Sequence, residues 1–549
     1  MSIPYLTSVV IFLPLLGALA IMALRDVNAI RWTALGTTTL TFLLSLFLFA
    51  GFDPAVSTET MPQLVDLSAS WFPNQYDIKY FVGVDGLSLL LVMLTTLLGP
   101  IVVLSSWHYI GKQRNAYYTL LLVLQTGVTG VFCSFDVFLF YIFFELTLIP
   151  MYFIIGIWGG EQRVYAAVKF VLYTLVGSLL MLVAILYLGH AAGDAVNGGV
   201  FTTDWYKLLS FNIPLGTQTW LFFLFALSFA IKVPLFPLHT WLPDAHVQAP
   251  TGGSVILAGV LLKMGTYGLV RFCLPFFPNA AQEYAMLFAV LAVIGIIYGA
   301  LVSRVQTDAK KLVAYSSVSH LGFVVLGIFA FTAEAMQGAV IQMVNHGIST
   351  GALFLLVGML YERRHTREMA DFGGIAKTVP ILTFFMVFSV LASAGLPGLN
   401  GFVGEFLILL GSFKSDVVGS PFLIALATSG VILAAVYLLW LLYRTFFGPI
   451  RDEKNRSMPD MNLREIVLMA PLAVLMFVLG FAPNAFLERS EPTTQFLLDT
   501  IEQKRLAVLK IEAESAASVY ASQEPDKAGE KPVEHAPSVS VMFEAGSRP

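Results

Sequence analysis

The sequence predicts an all-α, polytopic membrane protein with about fourteen transmembrane helices. Of its 549 residues, 57% are hydrophobic and 12% are charged, whereas soluble domains carry about 25% charged residues. Apolar runs of the roughly 20 residues that a helix needs to cross a bilayer recur along most of the chain. A soluble multidomain protein is therefore not expected. The net charge of -4 points neither to nucleic acid nor to an acidic substrate.

Polar, glycine and proline residues divide the apolar sequence into fourteen spans, numbered 1 to 14 along the chain. Span 1 resembles a signal peptide only superficially, because it has no basic start and another hydrophobic span follows at once. The spans are residues 3–24, 32–51, 84–107, 116–133, 135–157, 164–188, 217–242, 252–274, 284–303, 311–331, 336–360, 379–413, 421–447 and 465–486.

Lysine and arginine residues concentrate in the loops that follow odd-numbered spans. Seventeen lie in those loops, and only Lys79, Lys207, Arg271 and Lys414 lie in the opposite loops. Basic loops stay on the inner side of a membrane, so we expect both termini on the outer side. The seventeen are Arg25, Arg31, Lys112, Arg114, Arg163, Arg304, Lys310, Lys311, Arg363, Arg364, Arg367, Lys377, Arg444, Arg451, Lys454, Arg456 and Arg464.

Two spans contain sequences that a continuous helix does not accommodate. Span 7 includes residues 232–237 (KVPLFP) with Pro243 shortly after, and span 12 includes residues 394–401 (AGLPGLNG). Proline removes a backbone donor and clashes with the preceding turn. Unpaired backbone groups at membrane depth are tolerated where they face protein or a water-filled cavity. The two breaks therefore predict internal hydration, with two unrelated proline kinks as the alternative.

The breaks fall on matching helices if spans 4 to 8 and spans 9 to 13 are two repeated units. Five is an odd number, so the second unit must be inverted relative to the first. Paired interruptions in inverted repeats mark the transport site of many secondary transporters. We predict N-terminal helices in residues 1–110, a first repeat in 111–275, an inverted second repeat in 276–450, a last helix in 451–486 and a polar, partly disordered tail in 487–549.

We single out six of the titratable residues within the apolar spans, where inserting a charged side chain costs about 2.5–3.5 kcal/mol. A low-dielectric site favours the neutral forms of lysine and carboxylic acid, so such groups can exchange protons near neutral pH. The set predicts a proton relay. A static Glu145–Lys232 ion pair and hydrogen-bonded core histidines are the structural alternatives. The six are Glu145 in span 5, Lys232 at the first break, Lys263 in span 8, His320 in span 10, His346 in span 11 and Glu405 after the second break.

Other polar residues near the spans have simpler explanations. Lys169 is expected to extend to the membrane interface, and Asp85 and Asp136 are expected to start helices. Cys133 and Cys273 lie far apart without CxxC spacing, so this chain cannot assemble an iron–sulfur cluster or a zinc site from them. We expect both to be buried, inert thiols.

The tail after residue 486 is polar and rich in Glu, Lys, Ser, Ala and Pro. We expect a surface helix over residues 498–520 and disorder from about residue 523 to residue 549. The reason is that the tail cannot bury enough apolar surface to offset the entropy of ordering it.

Five motifs give the sequence a resemblance to a known family. They are residues 143–146 (FFEL), 232–246 (KVPLFPLHTWLPDAH), 261–265 (LLKMG), 314–320 (AYSSVSH) and 401–405 (GFVGE). With them, residues 1–486 resemble the antiporter-like subunits of respiratory complex I, the NADH:quinone oxidoreductase. The NuoM type of this family has glutamate in helix 12, where the NuoL and NuoN types and the Mrp antiporter subunits have lysine. The glutamate at position 405 therefore favours the NuoM type.

The resemblance implies a proton-translocating subunit of a bacterial inner membrane that couples quinone reduction elsewhere in the complex to proton transfer. Flavin, iron–sulfur clusters and quinone would belong to partner subunits, with no cofactor on this chain. NuoL-type and NuoN-type subunits would be its neighbours, and the long polar tail departs from the compact ends of the family. Glu145 and Lys232 would form the switching ion pair, Lys263 the central carrier, His320 and His346 with water the bridge, and Glu405 the terminal site.

Two other functions remain open at this point. A subunit of an Mrp-type cation/proton antiporter would share the fold and most charged positions, although the glutamate at position 405 argues against it. A purely structural membrane scaffold would use the same charges for packing. The sequence does not decide between protons and sodium.

Overall fold

The computed structural model describes residues 4–56, 62–72 and 75–523, and its helices reproduce the predicted spans. Thirteen helices in this part of the chain are long and apolar enough to cross a membrane. Span 12 consists of two shorter helices, Pro380–Ser393 and Asn400–Lys414. The predicted all-α, polytopic fold is confirmed. The thirteen are Leu6–Ala23, Val27–Gly51, Gly86–Ser105, Arg114–Cys133, Val137–Trp158, Arg163–Val196, Leu215–Lys232, Thr251–Phe276, Ala285–Val305, Ala309–Ile328, Ala333–Arg364, Pro421–Thr445 and Leu463–Phe481.

Aspartate side chains start several of these helices. Asp85 accepts hydrogen bonds from the backbone N–H groups of Leu87 and Ser88, at 3.1 and 2.9 Å, and so caps span 3. Asp136 caps span 5 in the same way. A side-chain oxygen at this position satisfies N–H groups that have no partner within the helix. Both residues are therefore helix-start residues, as predicted.

Both predicted helix breaks are present. Span 7 ends at Lys232, and non-helical residues separate it from the short helix Trp241–Gln248. Span 12 is interrupted after Ser393, where Gly395 and Gly398 have φ angles of 75° and 89°. Backbone with these φ values favours glycine, because a side chain would clash there. The glycine-rich sequence therefore ends the first half of the span.

Span 8 departs from a regular α-helix at two places. It contains the π-helical turns Leu257–Leu261 and Leu269–Cys273. Such turns are rare and often occur at functional sites. Spans 8 and 11 are buried throughout, whereas spans 1, 2, 6, 13 and 14 expose much of their surface and form the periphery. The division into two inverted repeats stays a prediction.

A small sheet that was not predicted combines two strands from the segment between spans 2 and 3 with one strand from the segment between spans 6 and 7. Strand β1 (Gln63–Phe72) pairs antiparallel with β2 (Tyr76–Val84), and β3 (Phe201–Thr202) pairs parallel with β2. The alternation of apolar and polar residues from Val65 to Trp71 is typical of a strand and was the available signal.

The loops rich in lysine and arginine contact one another on one side of the bundle, called here the basic face. The indole N–H of Trp158, at the end of span 5, donates to the carbonyl of Lys112, which follows span 3, at 2.8 Å. Arg363, at the end of span 11, makes two hydrogen bonds to the Glu465 carboxylate at the start of span 14, at 3.0 and 2.7 Å. The observed packing therefore agrees with the grouping of these loops by charge.

A long helix, Asn484–Gln523, lies on the opposite face and extends beyond both ends of the predicted surface helix. The backbone N–H of Gly86, at the start of span 3, donates to the Thr493 hydroxyl at 2.9 Å. The Lys504 ammonium donates to the carbonyl of Leu208 at 3.4 Å. These contacts attach the helix to the side of the bundle opposite the basic face. The rest of the tail, where disorder was predicted, lies outside the described residues.

Candidate functional site

Two of the predicted relay residues meet where the fully buried spans 8 and 11 pack together. Nζ of Lys263 and Nδ1 of His346 are 2.7 Å apart. The same Nζ donates to the carbonyl of Ala258, five residues earlier in the π-helical turn Leu257–Leu261. Both side chains are at most 2% exposed. Lys263 is therefore in direct contact with His346.

A second pair joins span 10 to the second half of span 12. Nδ1 of His320 lies 2.9 Å from Oε1 of Glu405. The amide of Gln342, on span 11, donates to the same carboxylate oxygen at 3.2 Å. The Tyr437 hydroxyl on span 13 lies 3.0 Å from Nε2 of His320. Both ring nitrogens of this histidine therefore have a polar neighbour, so the ring can accept a proton on one side and release one on the other.

The two pairs face each other across a short gap. The imidazole ring centroids of His320 and His346 are 5.9 Å apart. Nε2 of His346 and Oε2 of Glu405 have no hydrogen-bond partner among the residues described. Buried polar atoms of this kind usually bind ordered water, and a water molecule bridges polar groups that do not touch. Lys263, His346, His320 and Glu405 therefore form one line of titratable side chains.

The second helix break is held beside this line by two asparagines. The Asn345 amide donates to the carbonyl of Asn400 at 2.7 Å, and the Asn400 amide donates back to the carbonyl of Asn345 at 3.3 Å. A Cβ atom on Gly395 would lie 3.3 Å from Oε2 of Glu405. The glycine thus allows the unwound backbone to approach the carboxylate closely.

The other two predicted relay residues, Glu145 and Lys232, do not touch. Nζ of Lys232 has no hydrogen-bond partner in the part of the chain that is described. It lies 5.0 Å from the ring centroid of Phe144 and 5.4 Å from that of Phe170, while its side chain is almost wholly buried. Glu145 is half-buried, and its Oε1 likewise lacks a partner among the described residues. The static ion pair considered as an alternative is therefore not formed.

Lys169 is held by an ion pair rather than extending freely to the membrane interface. Its Nζ lies 2.7 Å from Oδ2 of Asp244. One turn further along span 6, the hydroxyls of Tyr173 and Thr240 are 2.8 Å apart. Together these contacts attach the short helix after the first break to span 6.

His246 belongs to the longest motif but was given no role in the sequence-based prediction. Its side chain is fully buried, and neither ring nitrogen has a hydrogen-bond partner among the described residues. The ring stacks on Phe354 with centroids 4.6 Å apart. Its position just after a helix break was the signal that could have identified it.

Arg271 was counted among the loop charges, but the structure places it inside the protein. It forms an ion pair with Asp85, and neither side chain is exposed. Its guanidinium also packs on the rings of Phe135 and Trp205. This pair ties span 3 to span 8. Its burial explains why a charge count over loops misplaced it.

The cysteines are free and buried, as predicted. Cys133 ends span 4, and Cys273 lies in the second π-helical turn of span 8. Within the described residues, no group of three or more His, Cys, Asp or Glu side chains is arranged to hold a metal ion.

Two family models match most of the chain. The model described as NADH:quinone oxidoreductase/Mrp antiporter, TM, matches residues 134–434, and NADH-ubiquinone oxidoreductase chain 4, amino terminus, matches residues 9–129. The NADH-quinone oxidoreductase subunit M of Rhodobacter capsulatus is 46% identical over 90% of this chain and 96% of its own length. The subunit M of Escherichia coli (strain K12) is 44% identical, covering 84% of this chain and 91% of its own.

Solved structures give the same result. A chain of respiratory complex I from Thermus thermophilus with bound NADH is similar with a TM-score of 0.79 and 34% identity, covering 90% of this chain and 99% of that one. A chain of the Mrp complex from Dietzia sp. DQ12-45-1b has a TM-score of 0.77, with coverage of 91% and 99%. At 19% identity, that second likeness shows the fold alone. The chain belongs to the family of NADH-quinone oxidoreductase M subunits.

Proposed function

We propose that this chain, a membrane subunit of a proton-pumping NADH:quinone oxidoreductase, carries protons along its buried titratable side chains. The observation that carries the proposal is the pair of direct contacts, Lys263–His346 and His320–Glu405, at 2.7 and 2.9 Å. Ionisable residues at membrane depth are costly, and by default they indicate a functional path. A scaffold would not require four titratable groups on four different spans to lie in one line.

Each contact has the geometry that proton transfer needs. Within a lysine–histidine or histidine–carboxylate hydrogen bond, one heavy atom carries the proton and the other accepts it. Heavy-atom distances of about 2.6–3.2 Å are those at which a proton passes from one group to the other. Nε2 of His346 and Oε2 of Glu405, the two atoms without a protein partner in the described region, are where water can join the two pairs.

In the proposed switch, the distance between the Glu145 carboxylate and the Lys232 ammonium changes. A carboxylate beside a lysine favours the charged ammonium, and its withdrawal favours release of a proton. We propose that redox energy elsewhere in the enzyme changes this separation, so that Lys232 passes a proton towards Lys263. In the proposed switch, the arrangement with Glu145 and Lys232 apart is the state that favours release of the proton from the lysine.

The proposal extends to the surroundings of the chain. NuoL-type and NuoN-type subunits are its proposed neighbours, and flavin, iron–sulfur clusters and quinone are proposed to reside on partner subunits. We place the chain in a bacterial inner membrane with the basic face towards the cytoplasm, because basic loops remain on that side. Both termini then face the periplasm. An Mrp-type antiporter is the weaker alternative, because the terminal site carries a glutamate.

The test is the substitution Glu405→Gln in the assembled enzyme, in inverted membrane vesicles supplied with NADH. The amide keeps the shape of the side chain but has no carboxyl group that can gain and lose a proton near neutral pH. We expect the rate of acidification per assembled enzyme to fall at least about tenfold, since a positioned proton-transfer group contributes about 10²-fold or more. NADH–ferricyanide reductase activity measures how much enzyme has assembled.

The matched control for this test is Glu334→Gln. This carboxylate starts span 11 and forms an exposed ion pair with Lys414 at 2.7 Å. We expect its loss to leave the acidification rate unchanged, because an exposed pair contributes little. If Glu405→Gln pumps as fast as the unsubstituted enzyme, the proposed relay is wrong.

A further inference from the structure

A cavity of about 560 Å³ opens on the basic face, away from the line of relay residues. The loop after span 5, the starts of spans 8 and 10 and the end of span 11 surround it. The charged or titratable side chains of its wall are Tyr109, Glu161, Asp308, Lys310, Tyr361, His365, Arg367 and Glu368.

Lys310 differs from the arginine in the same wall. Its residue is 7% exposed, and Nζ donates to the carbonyl of Ala249 at 2.5 Å. Arg367, by contrast, lies 3.1 Å from the carboxylate of Asp308 and donates to the carbonyl of Val247 at 2.8 Å. No ion pair is seen for the lysine within the described residues. A nearly buried ammonium with one neutral acceptor is poorly compensated, so this group can exist with or without its extra proton.

The carbonyl that accepts from Lys310 belongs to a segment that also carries a buried histidine. Ala249 directly follows the helix Trp241–Gln248, one turn after His246. The histidine is fully buried with both ring nitrogens unpartnered among the residues described, and the Ser254 hydroxyl of span 8, the span that carries Lys263, donates to its carbonyl at 3.0 Å. A buried ring with two unsatisfied nitrogens requires an explanation. Water between the histidine and the two lysines supplies one.

We propose that Lys310 loads the relay with protons from the basic face. Its neutral amine accepts a proton from a hydronium ion in the cavity and becomes an ammonium. The ammonium gives a proton through water to one ring nitrogen of His246, and the ring releases the proton on its other nitrogen to the neutral amine of Lys263. Lys310 and His246 return to their neutral forms, His246 as its other tautomer, and the positive charge of the proton moves to Lys263, which passes it into the relay. The inference rests on the proposed function, because it supplies that relay.

A structural role for Lys310 makes a different prediction. Its bond to Ala249 fastens the loop before span 8 to span 10, and any permanent cation with enough reach could do the same. Arginine keeps the charge and the hydrogen-bond donors but does not lose its proton in proteins. The substitution Lys310→Arg therefore separates fastening from proton transfer. Lys311 is the matched control, because it is the next residue of the same helix and does not line the cavity.

The experiment measures NADH-driven acidification in inverted vesicles for Lys310→Arg, Lys310→Met and the two equivalent Lys311 variants. Rates are normalised to assembled enzyme by NADH–ferricyanide reductase activity. We expect both Lys310 variants to pump at least about tenfold more slowly, with the Lys311 variants unchanged. A Lys310→Arg enzyme that pumps at the unsubstituted rate overturns the proposal. If Lys310→Arg pumps at the unsubstituted rate while Glu405→Gln is defective in the same series, proton loading at Lys310 is wrong and the proposed relay is retained.

A third variant, Lys310→His, provides a signature that a purely structural role would not produce. An imidazole titrates near pH 6.5, so it loads protons only at and below about that pH. We expect its pumping to approach the unsubstituted rate at about pH 6 and to decline as the pH rises to about 8. The other titratable groups that face the cavity are unchanged in this variant. A pH profile that matches that of Lys310→Arg would contradict proton loading at this position.

Discussion

The two ends of the relay differ in how their titratable groups are joined. Near Glu405, direct hydrogen bonds of 2.9 and 3.2 Å connect the carboxylate to a histidine and a glutamine. Near Glu145, the lysine that should be its partner has no hydrogen bond among the described residues. The Glu405 end is therefore an assembled, hydrogen-bonded path. The Glu145 end is open, because Glu145 and Lys232 are not in contact. For the proposed relay, we infer that control lies at the first helix break and conduction at the second.

The position of each group in its helix fits this division. Lys232 is the last residue of its half-helix, where the partial negative charge of the helix C-terminus stabilises a cation. This partial charge offsets only part of the loss of the carboxylate, so in the proposed switch the lysine still releases its proton when Glu145 is distant. The Glu405 carboxylate has specific polar partners instead, so its geometry must be retained for the path to remain continuous.

The largest expected difference in pumping rate between the two ends comes from shortening each glutamate by one methylene. Glu405→Asp should withdraw the oxygen from His320 and slow NADH-driven acidification at least about tenfold. Glu145→Asp keeps a negative charge that acts on Lys232 through space, so more than about half of the rate should remain, since charge interactions fall off gradually with distance. Equal losses in the two variants would contradict the division into an assembled and an open end.

A smaller effect is expected at a buried lysine that lies outside the relay. Lys504, on the helix Asn484–Gln523, is 6% exposed, and burial lowers the pKa of its ammonium to about 7. When the helix detaches, the lysine regains its ordinary value of 10.5. Between about pH 7 and pH 10.5 the detached state binds more protons, so attachment of the helix strengthens as the pH rises through this window and changes little below it.

The substitution Lys504→Met should remove this dependence and leave proton pumping unchanged. Amide hydrogen exchange of residues 490–510, corrected for the intrinsic effect of pH, measures helix attachment. We expect protection to increase from about pH 7 to about pH 9 in the unsubstituted chain and to be high at both values in the variant. If Lys504→Met pumps as slowly as the relay variants, then replacing any buried lysine slows pumping. Membership of a hydrogen-bonded path would then not be the cause of the losses in the relay variants.

The features that sequence predicts well are those that depend on neighbouring residues. Hydropathy located all fourteen spans, and proline and glycine located both breaks, because each signal acts within one or two helical turns. The same local information placed six titratable residues inside the spans. Strand β1 also has a local signal. Its apolar side chains alternate with polar ones, so they form no apolar run and hydropathy does not detect the strand.

The contacts of the site could not be predicted in this way, because they depend on which spans pack together. Lys263 and His346 are 83 positions apart, and nothing in either segment specifies the other. Gln342 and Tyr437, which contact the terminal pair, are polar residues of a common kind within helices. Arg271 was wrongly predicted to lie in a loop, because it is a charged residue near the end of an apolar run. Only its buried partner, Asp85, shows that it lies inside the protein.

The decisive variant for the proposed relay is Lys263→Met. It removes the Nζ that hydrogen-bonds to His346 and to the carbonyl of Ala258, and an unbranched apolar chain of similar length fills the same space. Acidification by inverted vesicles, per assembled enzyme, is the measurement. We expect a fall of at least about tenfold, with NADH–ferricyanide reductase activity retained. Acidification at the unsubstituted rate would contradict the proposed relay, because protons would then cross without this residue.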